Sequence, residues 1–238
     1  MQYFVTSDIH GHYQVLRECL EKSGYDESNP SHHLLVLGDL FDRGNESKEV
    51  FEYLYRLHQT KKATILLGNH DLFMLELLEG NYERAKFNVA RNGFLETLES
   101  FTDYKFANRD TPLHIYKEAI EKAYPNLYDW ISSFPLYLEL DDYIFVHGGV
   151  DPTLDDWKKA SRFEFVWSYE VKMDPVPGKT VVAGHHRVAT IREPFYHDYK
   201  ALFLEHPELF DPLYLEGKIL IDRFVEVTKE LNVVEFEL

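Results

Sequence analysis

The sequence predicts an α/β fold built on largely parallel strands, and three stretches in its first third carry that prediction. The runs YFVT (3–6), LLVL (34–37) and TILL (64–67) are short and apolar, and each precedes an amphipathic helical pattern. Strand then helix, repeated, is the mark of βαβ units. Each run also stops at a polar cluster beside a glycine: Ser7-Asp8-Ile9-His10-Gly11, Gly38-Asp39-Leu40-Phe41-Asp42-Arg43-Gly44, and Gly68-Asn69-His70-Asp71. Ligands of such sheets bind at the carboxyl ends of the strands, so the residues that predict the fold also predict the site.

The elements follow in order. Helical patterns run over 13–22, 47–58 and, after Asp71, on to Leu78. From Gly93 to Phe134 apolar residues recur at helical spacing, first Phe94, Leu95 and Leu98, then Ile115, Ala119, Ile120 and Ala123. This predicts an all-helical insertion over 93–134. The period then changes to that of strands. PLYLEL (135–140) and DYIFVHGG (142–149) predict a hairpin turning at Asp141-Asp142. KTVVAGHH (179–186), GKILID (217–222) and NVVEFEL (232–238) are further strands, the last alternating Val234, Phe236 and Leu238 with Glu235 and Glu237. No linker or repeat array interrupts the chain, so residues 1–238 read as one domain.

Composition narrows the function classes. The 238 residues are 45% hydrophobic and 15% aromatic, enough for a substantial core. With 25 basic against 41 acidic residues, the net charge is -16. That surface argues against nucleic acid as a partner, because such binding rests on Lys and Arg neutralising phosphates. Any anionic substrate needs positive charge supplied locally, by metal ions or placed arginines. Cys19 is the single cysteine, at helical spacing with Val15, Leu16 and Leu20, and reads as a core residue. No run approaches the roughly 18 apolar residues of a membrane span. The expectation is a cytoplasmic protein that does not associate with membranes.

The candidate ligands are Asp8, His10, Asp39, Asn69, His147 and His185, each just after an apolar run and close to a glycine, next to it in every case but Asp8, which is three residues from Gly11. Taken singly, the aspartates and Asn69 are ordinary caps or turn residues, and the histidines ordinary hydrogen-bonded residues. Taken together at successive strand ends, they form a metal-binding set. Mixed carboxylate and imidazole donors suit Mn, Fe or Zn better than Mg or Ca. Six ligands exceed one tetrahedral ion and fit two ions sharing a carboxylate.

The blocks SDIHG, GDLFDRG, GNHD, VHGG and GHH, in this order over residues 7–186, resemble the signature blocks of the calcineurin-like metallophosphoesterases. More narrowly they resemble the phosphoprotein phosphatase branch, which includes bacterial serine/threonine phosphatases and symmetrical diadenosine tetraphosphatases. The resemblance implies a four-layer α-β-β-α sandwich of two mixed sheets flanked by helices. It implies that Asp8 and His10 bind one metal ion, that Asn69, His147 and His185 bind a second, and that Asp39 bridges them. Manganese is the first expectation for both ions. His70 is then the general acid, oriented by Asp42, and Arg43 holds the phosphate. The chemistry agrees: two cations acidify a bridging water to a hydroxide nucleophile for in-line attack. A histidine beside a carboxylate donates the leaving-group proton, and a guanidinium grips two phosphate oxygens.

The sequence departs from that pattern in three places. Ser7 replaces a glycine common among relatives, and Asp71 stands where eukaryotic protein phosphatases have Glu. Asp71 itself either caps the following helix or stands behind the ligands. Where several bacterial relatives carry a phosphate-clamping arginine two residues after a tryptophan, Trp167 is followed by Ser168 and Tyr169. Arg91 is the first candidate for a replacement clamp and Arg187 the second. The aromatic and acidic segment 194–217 either caps the site or packs on the body. The leading function is a serine/threonine protein phosphatase of bacterial type, acting on phosphorylated proteins or small phosphoesters. A symmetrical dinucleoside tetraphosphate hydrolase comes next, and a non-catalytic phosphate-binding scaffold is the reading from a different class.

Overall fold

The computed structural model describes residues 1–103, 105, 110–167 and 176–238. Ser168 and Tyr169, where the clamping arginine is absent from the sequence, lie outside the described residues. The chain runs β1 (Gln2–Thr6), α1 (Tyr13–Lys22), β2 (His32–Val36), α2 (Ser47–Gln59) and β3 (Ala63–Ile65). Five helices follow almost without interruption by strand: α3 (Asp71–Leu78), α4 (Tyr82–Arg91), α5 (Phe94–Phe101), α6 (Leu113–Ala123) and α7 (Leu127–Ser132). Then come β4 (Tyr137–Leu140), β5 (Tyr143–Val146), α8 (Arg162–Trp167), β6 (Thr180–Arg187), α9 (Val188–Arg192) and α10 (Tyr199–Glu205). The chain closes with β7 (Leu213–Leu215), β8 (Lys218–Asp222), α11 (Val225–Thr228) and β9 (Val234–Glu237).

Two mixed sheets result. One has the order β3-β2-β1-β9, the other β4-β5-β6-β8-β7. In the first, β1, β2 and β3 are parallel, and β9 closes the edge antiparallel to β1 with Tyr3 opposite Phe236. In the second, β5, β6 and β8 are parallel, with antiparallel β4 and β7 on the edges. The repeated strand-helix pattern of the first third therefore yields the parallel trio β1-β2-β3, and the two-residue turn at Asp141-Asp142 yields the antiparallel β4–β5 hairpin, as expected; the second parallel trio has no such repeat behind it.

The pleat explains why the central strands are apolar without alternation. Val5, Leu35, Leu37, Phe145, Val182, Ile219 and Ile221 point into one core shared by the two sheets, joined by Phe236. Their neighbours Phe4, Leu34, Val36, Ile144, Val146, Val181, Ala183 and Leu220 point the other way, into cores shared with the helices. Successive strand residues face opposite sides, so a strand covered on both faces reads as a continuous apolar run. The layers are helix, sheet, sheet, helix, the arrangement implied by the signature blocks.

Three details differ from the sequence reading. The helical region starts at Asp71, not at Gly93, because α3 and α4 pack with α5 to α7 as one block. Within α6 the buried residues are Tyr116 and Ile120, while Ala123 is exposed; the longer aromatic, one turn from Ile120, sets the phase. The segment 194–217 packs on the body. It contributes α10, β7 paired to β8, and a small core of Leu202 and Phe210 under Ala189. Arg192 fastens it by donating to the carbonyls of Leu209 and Asp211, each at 2.8 Å. Cys19 is buried, its Sγ accepting from the Leu231 amide. Among the described residues no helix is long and apolar enough to cross a membrane.

Leu35 is fully buried between the sheets, whereas Leu215 on the edge strand is 42% exposed. Leu35→Ala is expected to lower stability by about 2–5 kcal/mol, and Leu215→Ala by less than about 0.5 kcal/mol, read from urea unfolding midpoints at constant slope.

Candidate metal and phosphate site

The parallel strands of both sheets deliver their C-terminal ends to one cavity of about 350 Å³. Asp8, His10, Asp39, Asn69, His70 and His185 line it together with Arg43, and His147 lies fully buried beneath. The chain makes this convergence by turning sharply as each strand ends. Of the eleven non-glycine residues with positive φ among those described, six belong here: Asp8, His10, Asp39, Asp42, Arg43 and His185. Left-handed backbone at such residues costs roughly 1 kcal/mol each and is concentrated where function requires it.

Gly68 is needed for space and not for its turn. It is absent from the positive-φ glycines, but a Cβ there would lie 2.2 Å from the Asp39 nitrogen and 2.3 Å from its Oδ1. Gly184 is similar, with a Cβ falling 2.4 Å from Asp8 Oδ2. The glycines beside the acidic residues allow one strand-end loop to press on another.

Hydrogen bonds orient the ring nitrogens. His10 Nδ1 donates to the Phe41 carbonyl at 2.9 Å, which leaves Nε2 without a proton and 3.7 Å from Asp39 Oδ2 and 3.9 Å from Asp8 Oδ1. His147 Nδ1 donates to the Leu37 carbonyl at 2.7 Å, leaving Nε2 bare, 3.3 Å from Asp39 Oδ1 and 2.9 Å from Asn69 Oδ1. Burial, helped by Arg43 and His70, holds His10 well below the usual imidazole range. Burial also lowers His147 against the pull of Asp39, and burial with His147 alongside takes His185 to about 2. All three rings are thus neutral, the form that ligates metals.

The acidic residues carry the opposite strain. Burial, with Asp222 and Asp39 nearby, pushes Asp8 well above the ordinary carboxylate range. Asp222, at the end of β8, is raised to about 6, chiefly by burial. Asp39 goes the other way: burial would raise it, but His147, His70 and His185 outweigh burial and hold it low. Carboxylate, carbonyl and imidazole lone pairs therefore face each other at 2.9–3.3 Å with no proton between them. Such a donor set fits divalent cations. Asp39 stands in both of the closest groupings, with His10 and His70 and with His147 and His185, so it is the residue placed to be shared. His70 falls within the first grouping, but both of its nitrogens are engaged elsewhere, whereas Asp8 Oδ1 faces His10 Nε2.

His70 Nδ1 donates to Asp42 Oδ2 at 2.6 Å, and its Nε2 accepts from Arg43 Nη2 at 2.8 Å. Asp42 is itself fixed by Thr97 of α5, whose hydroxyl donates to Oδ1 at 2.8 Å and accepts from the Asp42 amide at 2.7 Å. With its proton so committed, Thr97 accepts from Ser47 at 3.2 Å. Arg43 Nη1 donates to His10 Nε2 at 2.6 Å and to Glu226 Oε1 at 2.7 Å. Asp71 accepts from the amides of Asp39, Leu40 and Gly68 at 3.1, 2.9 and 2.9 Å. It ties two strand-end loops together from behind the candidate ligands, and burial beside Asp39 raises it to about 7.

Arg91 does not join the site. It is exposed at the end of α4, and its neighbour Asn92 lines the cavity instead. The buried stripe of α4, Ala85 and Asn88, continues onto Asn92 at i+4, which turns Arg91 about 100° away. Arg187 does line the cavity and donates to the same Glu226 oxygen as Arg43, at 2.7 Å. Thr97, Asp222 and Glu226 are additions that the sequence reading missed. Asp222 left a signal, since it ends the apolar run ILID as Asp8 and Asp39 end theirs, but without a glycine. Thr97 and Glu226 left none, because they meet Asp42 and Arg43 across 55 and 183 residues of chain. Thr97→Val should leave Asp42 with an unpaired buried amide and one orphaned oxygen, lowering stability by about 1–3 kcal/mol in urea unfolding. Thr97→Ser should restore most of it.

A family model of the calcineurin-like phosphoesterases matches residues 1–208. A symmetrical bis(5'-nucleosyl)-tetraphosphatase of Buchnera aphidicola subsp. Acyrthosiphon pisum (strain Tuc7) is 41% identical over 98 residues, covering 41% of this chain and 32% of the relative. The enzyme of that name from Vibrio parahaemolyticus serotype O3:K6 is 26% identical over 155 residues, covering 65% of this chain and 47% of the relative. The matches thus span between a third and a half of the length of these curated relatives. Among solved structures, a candidate diadenosine tetraphosphatase shares the fold with a TM-score of 0.58 at 18% identity, covering 99% of this chain and 92% of its own. Family match, shared fold and a cavity floored by carboxylates and imidazoles lead to one conclusion: the chain belongs to the calcineurin-like phosphoesterases.

Proposed function

We propose that the protein cleaves dinucleoside tetraphosphates symmetrically, releasing two nucleoside diphosphates. The observation that carries this reading is the likeness to the symmetrical tetraphosphatases of Buchnera and Vibrio. The sequence alone ranks a phosphoprotein substrate first, on the basic residues it leaves near the motifs. Arg187 beside Arg43 at the cavity weakens that argument. In this reading residues 1–238 act as one hydrolase domain.

Asp8 and His10 would hold one divalent ion, Asn69, His147 and His185 a second, and Asp39 both. When bound, the two ions acidify water and offset charge on the phosphoryl oxygens. Manganese is the proposed ion, because the donors mix nitrogen with oxygen. Cys19, the one thiol, lies in α1 and does not line the cavity, so no cysteine nucleophile is at hand. Attack on phosphorus is accordingly in line, by water.

The protein's own groups do the rest. Arg43 leaves His10 and His70 to grip the phosphate, presenting a planar fork to two oxygens. That departure frees His70 Nε2, the only ring nitrogen not committed to Asp42. His70 then carries the proton for the leaving oxygen at Nε2, and Asp42 steadies the resulting imidazolium. A diphosphate leaves more readily than an alkoxide and depends less on that proton.

His70→Asn should therefore keep its metal content, measured by elemental analysis, and lose turnover unequally. On an alkyl phosphate the loss should be about 10²–10⁴-fold, and on diadenosine tetraphosphate clearly smaller. Loss of metal in this variant would remove His70 from the proposed role. The substrate itself is tested by giving the manganese-loaded protein diadenosine tetraphosphate, a phosphopeptide panel and an aryl phosphate. ADP as sole nucleotide product is the expected result. Turnover of phosphopeptides but not of the dinucleotide would restore the phosphoprotein reading.

A further inference from the structure

We propose that Arg187 and Arg43, bridged by Glu226, form a second anion subsite that takes a phosphate of a polyphosphate chain next to the one under attack. This rests on the hydrolase reading above and says where the rest of the substrate's phosphate chain lies.

Both guanidiniums donate to a single atom, Glu226 Oε1, at 2.7 Å each. Two arginine forks converging on one oxygen is a geometry that suits a phosphate at least as well as a carboxylate. Glu226 satisfies it only in part, since its Oε2 is buried without a hydrogen-bond partner among the described residues. Among those residues the ion pair of Arg187 is with Glu226 and engages Nη2, which leaves most of its five N–H donors for a ligand. Its guanidinium carbon sits over the Phe224 ring, 4.0 Å from the centroid, so its position is set in advance. Phe224 is in turn supported by Tyr199 of α10, at 5.8 Å between ring centroids. The cluster is open to a ligand, with Arg43, Glu226 and Arg187 side chains 26%, 20% and 33% exposed.

The two arginines differ in what else they touch. Arg43 also reaches His10 and His70, the groups around the reacting phosphate. Arg187 makes no such hydrogen bond to either ring among the described residues, and shares with Arg43 the Glu226 oxygen and the cavity wall. A monoester needs Arg43 alone, whereas a chain of phosphates extends past Arg43 to Arg187. The substrate's second phosphate then displaces the Glu226 carboxylate, which acts as a resident competitor keeping both forks parallel to the incoming anion.

The test uses manganese-saturated protein with tripolyphosphate and orthophosphate as competitive inhibitors of aryl phosphate hydrolysis. Calorimetric titration of both anions reads their affinities without turnover. Arg187→Ala should weaken tripolyphosphate about 10-fold or more relative to its effect on orthophosphate, the loss of one charge-assisted fork. Arg187→Lys, which keeps the charge but not the fork, should fall between the two. Glu226→Gln should act in the opposite direction and tighten tripolyphosphate, because the competing charge is gone. A purely structural cluster would weaken in both variants, and that result overturns the proposal, as does equal weakening of the two anions. No dinucleotide enters this assay. A protein that shows the expected pattern but ignores diadenosine tetraphosphate keeps the subsite and loses the substrate; one that cleaves the dinucleotide without the pattern loses the subsite.

Discussion

Five aspartates, Asp8, Asp39, Asp42, Asp71 and Asp222, are each at most 3% exposed and gather where the strands of both sheets end. Burying that much negative charge is the constraint around which the surrounding structure is arranged. An isolated buried carboxylate is strongly disfavoured unless it is paired or hydrogen-bonded. The five are treated differently. Asp71 takes three backbone amides, Asp42 an imidazole and a hydroxyl, and Asp39 an amide with the rings of His147, His70 and His185 around it. Burial, with acidic neighbours adding to it, drives Asp8 and Asp222 up in pKa, as burial also does for Asp42 and Asp71. The unmatched remainder is the demand that divalent cations meet in this family.

Holding those groups together sets conditions on the backbone. The loops must nearly touch, hence no side chain at Gly68 or Gly184. They must also turn at once from strand to ligand, hence positive φ at Asp8, His10, Asp39 and His185. The stability that offsets this strain comes from strands buried on both faces and from the shared core between the sheets. The helical region also contributes directly: α5 sends Thr97 to Asp42, and the Gly93 carbonyl accepts from the Arg43 amide at 3.0 Å. Far from a peripheral insertion, it is one wall of the site.

The acidic surface and the arginine fork belong to one electrostatic design. A net charge of -16 repels polyphosphates at a distance. In the proposed reading, binding would therefore depend on short-range donors: cations held by the buried carboxylates and imidazoles, and the guanidiniums of Arg43 and Arg187 that line the cavity. Glu226 pairs with both guanidiniums, and Phe224, packed against Tyr199 of α10, lies under the guanidinium of Arg187.

The sequence by itself determined the strand-helix repeat, the parallel trio of the first third, the hairpin at Asp141-Asp142 and the polar residues at each strand end. These are local facts, carried by residue periodicity and by glycines close to the candidate ligands. Tertiary structure alone decided the rest. It chose Asn92 over Arg91, because a helical phase of 100° per residue becomes meaningful only once the buried face is known. It gave Asp71 to three amides instead of a helix cap, and gave Arg187 and Arg43 a common carboxylate. Thr97 and Glu226 act across 55 and 183 residues of chain. No spacing in a linear sequence encodes such pairs; they exist only because two sheets, packed face to face, bring their strand ends to the same place.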